Sequence, residues 1–262
     1  LSSSSAASDV YKRQGLDMGR VIRHDHLPFP MPTRPHALVQ EWRNLTFMHW
    51  EVDIDKLLPH IPEGLEIDLF EGKAFVGTIP FVMKKVRPRL LPSVPGISTF
   101  PEFNVRTYVT KNGKAGILFL TLDAQSRITC WYAPRTYGLP YRYAKCRLTV
   151  DGDLYSWKSK RSSDGLELEG ECRAIGEKTQ ASKGSIEEFL FERYSLYTNH
   201  KGSLNMAYTQ HEPWIFQEGE ATIVKNSLTE IYDLGIDILK PDYTHISEGV
   251  YVHTWPIEKV LV

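Results

Sequence analysis

Four polar residues alternate through the segment Phe100-Pro-Glu-Phe-Asn-Val-Arg-Thr-Tyr108. In an extended strand every second side chain shares a face, so Glu102, Asn104, Arg106 and Tyr108 stand together, opposed by Phe103, Val105, Thr107 and Val109. Glu102 and Arg106 lie two face-steps apart, roughly 13 Å at about 3.3 Å per residue. That is too far for a direct ion pair and well suited to bracketing a ligand. Inside a closed barrel this face is a polar pocket wall; on an open sheet it is a solvated outer face. A second segment offers Asp123 at a strand end and Arg135 just before a Gly138/Pro140 turn. A guanidinium holds a carboxylate with two parallel hydrogen bonds, which suits Arg135 to an acidic ligand. Mutual neutralisation of Asp123 and Arg135 is the structural alternative. Among the nine histidines, His49 ends a candidate strand beside Trp50 and can reach a cavity mouth. His24 and His26 give only a weak metal signal, and no metal site or cofactor is expected.

The sequence has no phosphate-cradling Gly-rich loop, no His-Glu-x-x-His and no Gly-x-Ser-x-Gly elbow, which lowers the nucleotide, zinc-protease and common hydrolase readings. A net charge of −1 lacks the basic excess of a nucleic-acid binder. The densest basic patch, Lys84, Lys85, Arg87 and Arg89, reads as a solvated strand end. Three cysteines, Cys130, Cys146 and Cys172, match no zinc or redox spacing and suit a reducing, cytoplasmic setting. No apolar run approaches the roughly 18 residues that span a bilayer. The expected partner is therefore a small molecule, without nucleic acid or membrane; self-association stays open.

The elements that must position these groups are mostly strands. Three hairpins stand out: Leu65–Phe70 with Lys73–Ile79 around Glu71-Gly72; Phe103–Val109 with Gly116–Leu122 around Asn112-Gly113; and Lys145–Val150 with Leu154–Lys158 around Asp151-Gly152. Asn-Gly and Asp-Gly supply the positive φ angles that tight turns between twisted strands require. Further strands are expected at Trp42–Trp50, Leu166–Ala174, Gln210–Phe216, Ala221–Lys225 and Gly249–Trp255, the first with Trp42, Asn44, Thr46 and Met48 on one face. A short helix fits Asp53–His60. A longer one fits Ser185–Tyr197, with Ser185 and Glu188 forming a capping box and an apolar face packed outside the sheet. The Pro-rich stretch Arg87–Pro101 reads as an ordered loop bordering a pocket. Leu1–Gln14, LSSSSAASDVYKRQ, resembles translated adaptor or vector sequence, which places the natural start at Met18, a tail at 1–17 and one domain at 18–262.

The pattern Trp42-x-Asn44-Leu-Thr-Phe47-x-His49-Trp50, Leu58-Pro59, Pro62-x-Gly64-Leu65, Pro80-Phe81, Phe100-x-Glu102-x-Asn104-Val-Arg106-Thr-Tyr108, Leu122-Asp123-Ala124 and Leu139-Pro140-Tyr141 resembles the YqjF-like family of conserved bacterial proteins, over roughly Pro32 to Trp255. That family has no established function. It is similar in fold to the acetoacetate-decarboxylase-like superfamily. The resemblance implies an α+β, sheet-dominated fold: a closed or cone-shaped antiparallel β-barrel with a few outer helices and an internal pocket. The superfamily's decarboxylases use a lysine amine to form a Schiff base with a β-keto acid. Aligning Arg135-Thr-Tyr-Gly-Leu-Pro140 with their motif sets Tyr141 and Arg142 where the lysine pair falls, and tyrosine forms no imine. Glu102 is the implied counterpart of the superfamily's glutamate.

The expected site is therefore Glu102, Arg106, Asp123, Arg135, Tyr141 and His49, binding a small organic acid or carbonyl compound without Schiff-base chemistry. The alternatives are a decarboxylase or aldolase-type enzyme using Lys145, and a non-catalytic scaffold or partner-binding module.

Overall fold

In a computed structural model, residues 22–260 are described. The tail at 1–17 and the Met18 start lie outside them. The strands are β1 (Leu38–Val52), β2 (Glu66–Ile67), β3 (Ala74–Pro88), β4 (Phe100–Lys111), β5 (Lys114–Ala124), β6 (Tyr141–Asp151), β7 (Leu154–Arg161), β8 (Glu167–Gln180), β9 (Ser195–His200), β10 (Ser203–His211), β11 (Ile215–Asn226), β12 (Tyr243–Thr254) and β13 (Glu258–Lys259). They form one sheet in the order β13-β10-β9-β5-β6-β7-β8-β11-β12-β1-β3-β4-β2. Two further pairings, β4 with β5 and β10 with β12, bend this row back on itself.

The pairings trace two closed circuits that share the wall β12-β1-β3-β4-β5. One is completed by β9 and β10, the other by β6, β7, β8 and β11. Each face of the shared wall therefore looks into its own chamber. The first holds Phe47, Ile79, Phe81, Tyr108, Leu122, Phe191 and Trp214. The second holds Met48, Trp50, Val76, Phe103, Val105, Trp157 and Leu168. All pairings are antiparallel except β5 with β6 and β5 with β9. This is the sheet-dominated, barrel-like fold that the sequence implies.

Local chemistry explains the hairpins. Asn112 and Gly113, both at positive φ (52° and 71°), turn β4 into β5 with Lys111 facing Lys114. Gly152 does the same between β6 and β7. The first expected hairpin is reduced to a bridge between Phe70 and Lys73, because β2 pairs with β4 instead.

One expectation about β1 needs correction. Asn44 adopts φ 57°, and the pairing of β1 with β3 slips by one residue between Arg43 and Met48. This bulge resets the alternation. Trp42 lies on the same side as Leu45 and Phe47, whereas Met48 points into the second chamber. The facing glycine, Gly249, is obligatory there, since a Cβ would come within 1.8 Å of the Trp42 carbonyl oxygen.

Helices are short. α1 (Ile54–Leu57) continues as a 3₁₀ turn to His60, as the sequence suggests. α2 (Arg127–Thr136) is unforeseen; Ser126 caps it, accepting from the Thr129 amide at 3.2 Å. α3 (Ile186–Phe191) is capped by Ser185, which accepts from the Glu188 amide, while Glu188 reaches the Gly184 amide. It stops well short of Tyr197, because Ser195–His200 pairs with β10 and β5 as β9. Nor does it pack outside the sheet: Leu190 and Phe191 are buried, and Phe191 enters the first chamber against Phe47 and Phe216. α4 (Ser227–Glu230) closes the second chamber with Leu228. No helix among the described residues is long and apolar enough to cross a membrane.

Candidate functional site

The first chamber encloses a cavity of about 370 Å³. Small-molecule sites occupy about 300–1,000 Å³. Its walls are largely aromatic and aliphatic. Trp42 stacks on Trp214 with ring centroids 6.2 Å apart, and Phe81 and Phe47 meet these indoles edge-on. The expected Pro-rich loop borders it through Arg87, Pro88, Ile97 and Ser98, and α2 through Ile128, Thr129, Tyr132 and Ala133. Ile97, Ile128 and Tyr132 are also solvent-exposed, so the mouth lies between that loop and that helix.

The polar groups come from the alternating face of β4. Glu102, Asn104 and Arg106 line the cavity and are almost wholly buried. Tyr141, the first residue of β6, donates its hydroxyl to Glu102 Oε2 at 2.6 Å. The pair meets because β5 aligns in parallel with β6, setting Tyr141 beside Leu122, which itself faces Asn104. Burial pushes the Glu102 carboxyl up to about 7, although the donors Tyr141 and Asn104 pull it down. Burial, and the neighbouring Glu102, raise the Tyr141 hydroxyl well above its usual value.

Arg106 occupies the other end. Its Nη2 donates to the Leu190 carbonyl at 3.0 Å and to the Tyr108 hydroxyl at 3.4 Å. Its Nε is buried with no partner, and no carboxylate lies within ion-pair distance of it among the described residues. Arg193, which also lines the cavity, is by contrast paired with Asp68 and donates to the Phe189 carbonyl.

The remaining expected residues disperse. His49 sits one layer behind the cavity wall, its Nε2 2.7 Å from the Tyr108 hydroxyl. Tyr108 donates onward to the Leu190 carbonyl, which assigns the proton of that ring to Nε2. Burial, with Arg106 nearby, holds His49 well below its usual pKa, so it is a neutral structural group. Its ring is admitted by Gly77, where a Cβ would come within 2.7 Å of it.

Asp123 points into the second chamber. It pairs with Arg161 at 2.7 Å rather than with Arg135. Burial still raises its carboxyl to about 6, against the pull of Arg161. Arg135 stands on the outer side of α2, donating to the Trp131 carbonyl and lying over that indole. Neither is part of the cavity. Lys145 is exposed on β6, as is Arg142. No lysine lines the cavity among the described residues. Arg193, Trp214 and His211 were not expected at the site; they arrive from β9, β10 and their flanks only when the circuit closes.

Solved structures share this architecture over most of the chain. An acetoacetate decarboxylase from Legionella pneumophila superposes with a TM-score of 0.63 over 90% of this chain and 93% of its own, at 14% identity. The enduracididine biosynthesis enzyme MppR complexed with pyruvate superposes with 0.59 over 92% and 98%, at 13% identity. These likenesses show the fold alone: the architecture is like that of acetoacetate decarboxylase. The chain belongs to DUF2071, a family of uncharacterized conserved proteins, which residues 39–251 match. The uncharacterized protein YqjF of Bacillus subtilis (strain 168) is 36% identical over 221 residues, spanning 84% of this chain and 91% of its own.

Proposed function

We propose that the protein binds an amphipathic organic acid or carbonyl compound in the first chamber, without Schiff-base lysine chemistry. The observation that carries this reading is the Tyr141–Glu102 pair, inside a largely apolar cavity whose wall, among the described residues, holds no lysine. Imine formation needs a primary amine at the reacting carbonyl. Here a phenol stands at the expected place and the alternative amine, Lys145, is exposed outside the cavity. The indoles of Trp42 and Trp214 suit an apolar body, while Arg106 suits an anionic group and Glu102 with Tyr141 suits a carbonyl or carboxyl oxygen. The fold neighbour described as complexed with pyruvate supports a carbonyl compound as the occupant of such a scaffold.

Tryptophan fluorescence tests the reading, since two indoles form the wall. Titration with medium-chain carboxylates and methyl ketones is expected to give saturable quenching, lost in Trp214→Ala. Absence of saturable binding by every compound defeats the pocket reading. A lysine adduct trapped by borohydride defeats its lysine-free part.

A further inference from the structure

The two ends of the cavity differ in chemistry. At the mouth end a carboxyl group faces only neutral donors, Tyr141 and Asn104. At the far end the Arg106 guanidinium is buried, has a donor to spare at Nε and has no acidic partner. A buried cation without a counter-charge costs several kcal/mol unless something compensates it. Arg106 lines the cavity, so an anion held there supplies the missing counter-charge. Glu102 and Arg106 are four residues apart on one strand, roughly 13 Å at about 3.3 Å per residue. Between them on the strand stands Asn104, its Oδ1 without a partner, and the rest of the lining there includes the apolar Phe81, Ile79, Leu45 and Phe119.

We propose that the Glu102–Tyr141 pair catalyses proton transfer at the carbon beside a ketone, on an oxo acid whose carboxylate is held by Arg106. This rests on the binding reading above and adds an activity and a substrate class to it. The carboxylate of Glu102 removes a proton from that carbon. The C–H electron pair becomes a C=C bond, and the carbonyl π pair moves to oxygen as an enolate. Glu102, now neutral, holds the Tyr141 proton less strongly, and the hydroxyl turns to the enolate oxygen. Return of a proton from Glu102 to carbon restores the ketone. No oxidant, reductant or co-substrate enters. A base works best when it titrates near the working pH, and Glu102, raised to about 7, does so. The distance between Glu102 and the far-end cation selects a chain that separates the two functional groups, rather than a compact keto acid.

The test uses the full chain in deuterated buffer with a medium-chain fatty acid bearing a methyl ketone at its far end. Proton NMR follows loss of the signals from the carbons flanking the ketone, and tryptophan fluorescence follows binding of the same probe. Exchange at least about 100-fold above buffer is expected, rising with pH to a plateau as Glu102 ionises. Glu102→Gln should return exchange to the buffer rate while still binding the probe. Tyr141→Phe removes a donor that stabilises the carboxylate, so the midpoint of the pH profile should move upward. Arg106→Met should raise KM far more than it lowers kcat. A probe that binds and exchanges only at the buffer rate overturns the activity and leaves the binding reading intact. A probe that does not bind overturns both. Exchange that survives Glu102→Gln overturns the activity; if that variant fails to fold, an unmoved midpoint in Tyr141→Phe does so.

Discussion

Two buried carboxylates sit on neighbouring strands of the shared wall and face opposite chambers. Asp123 on β5 is directly opposite Phe103, one residue along from Glu102 on β4. Asp123 has a guanidinium at 2.7 Å, and the Arg161 head also donates to the Thr121 hydroxyl at 2.7 Å. Glu102 has only a phenol and an amide. The second chamber is packed with Trp50, Trp157, Phe103 and Leu168 around its compensated ion pair. The first keeps a cavity, an acid without a cation and a cation without an acid. A charge closed off by its counter-charge belongs to structure, whereas separated charges facing a cavity are available to a ligand.

Breaking the pair in the second chamber is the harshest test of that contrast. Arg161→Met strands Asp123 in an apolar setting, and should cost about 3–5 kcal/mol in urea unfolding near neutral pH. Arg106→Met removes an uncompensated charge together with its bonds to the Leu190 carbonyl and the Tyr108 hydroxyl, and should cost no more than about 1 kcal/mol. Equal losses from the two would erase the distinction.

The next effect is a dependence on pH. The Glu102 carboxyl is raised to about 7 in the folded protein, against an ordinary value of 4.5. A raised acid binds its proton more tightly when folded. Its contribution is thus complete below the unfolded value and is lost as pH climbs from about 4.5 through about 7. Glu102→Gln has no such loss. Its stability relative to the parent should grow across that window by about 3 kcal/mol, at about 1.4 kcal/mol per unit. A flat difference across the window would mean that the carboxyl is better solvated than the cavity geometry indicates.

Asn44→Val should cost roughly 1–2 kcal/mol, because a β-branched residue resists the left-handed region that the bulge requires. Asn44→Gly should be tolerated; thermal melts of both variants decide. The smallest effect is expected at Arg135→Ala, within about 0.5 kcal/mol and without change in probe binding, since that side chain contacts only its own helix. A loss of binding there would extend the site beyond the first chamber.

The sequence carried the wall better than the ends of the chamber. Alternation over Phe100–Tyr108 placed Glu102, Asn104 and Arg106 on one face correctly, because β4 keeps an unbroken pleat there. The same rule failed in β1, where nothing local announces that Asn44 takes a positive φ. Turn residues made two of the three hairpins readable, whereas the partner of β2 is set by long-range pairing. Asp123 chose Arg161, 38 residues away, over Arg135, twelve positions downstream; that choice depends on β6 and β7 folding back, which spacing does not encode. Helix α2 escaped notice because Pro134 and its aromatic residues mask the Ser126 cap. Tyr141 was found through a family resemblance rather than through periodicity.

The bulge at Asn44 has a consequence for how this chain tolerates insertions and deletions. It works as a phase marker: upstream of it even-numbered side chains face the cavity (Leu38, Gln40, Trp42), downstream of it odd-numbered ones do (Leu45, and Phe47 in the same cluster). Removing that one residue would rotate half a strand by one pleat, sending Trp42 out of the aromatic wall while leaving its chemistry untouched. The identity of the cavity is thus written partly in counting, and a frame error of one residue in β1 would be felt as the loss of a wall several residues away.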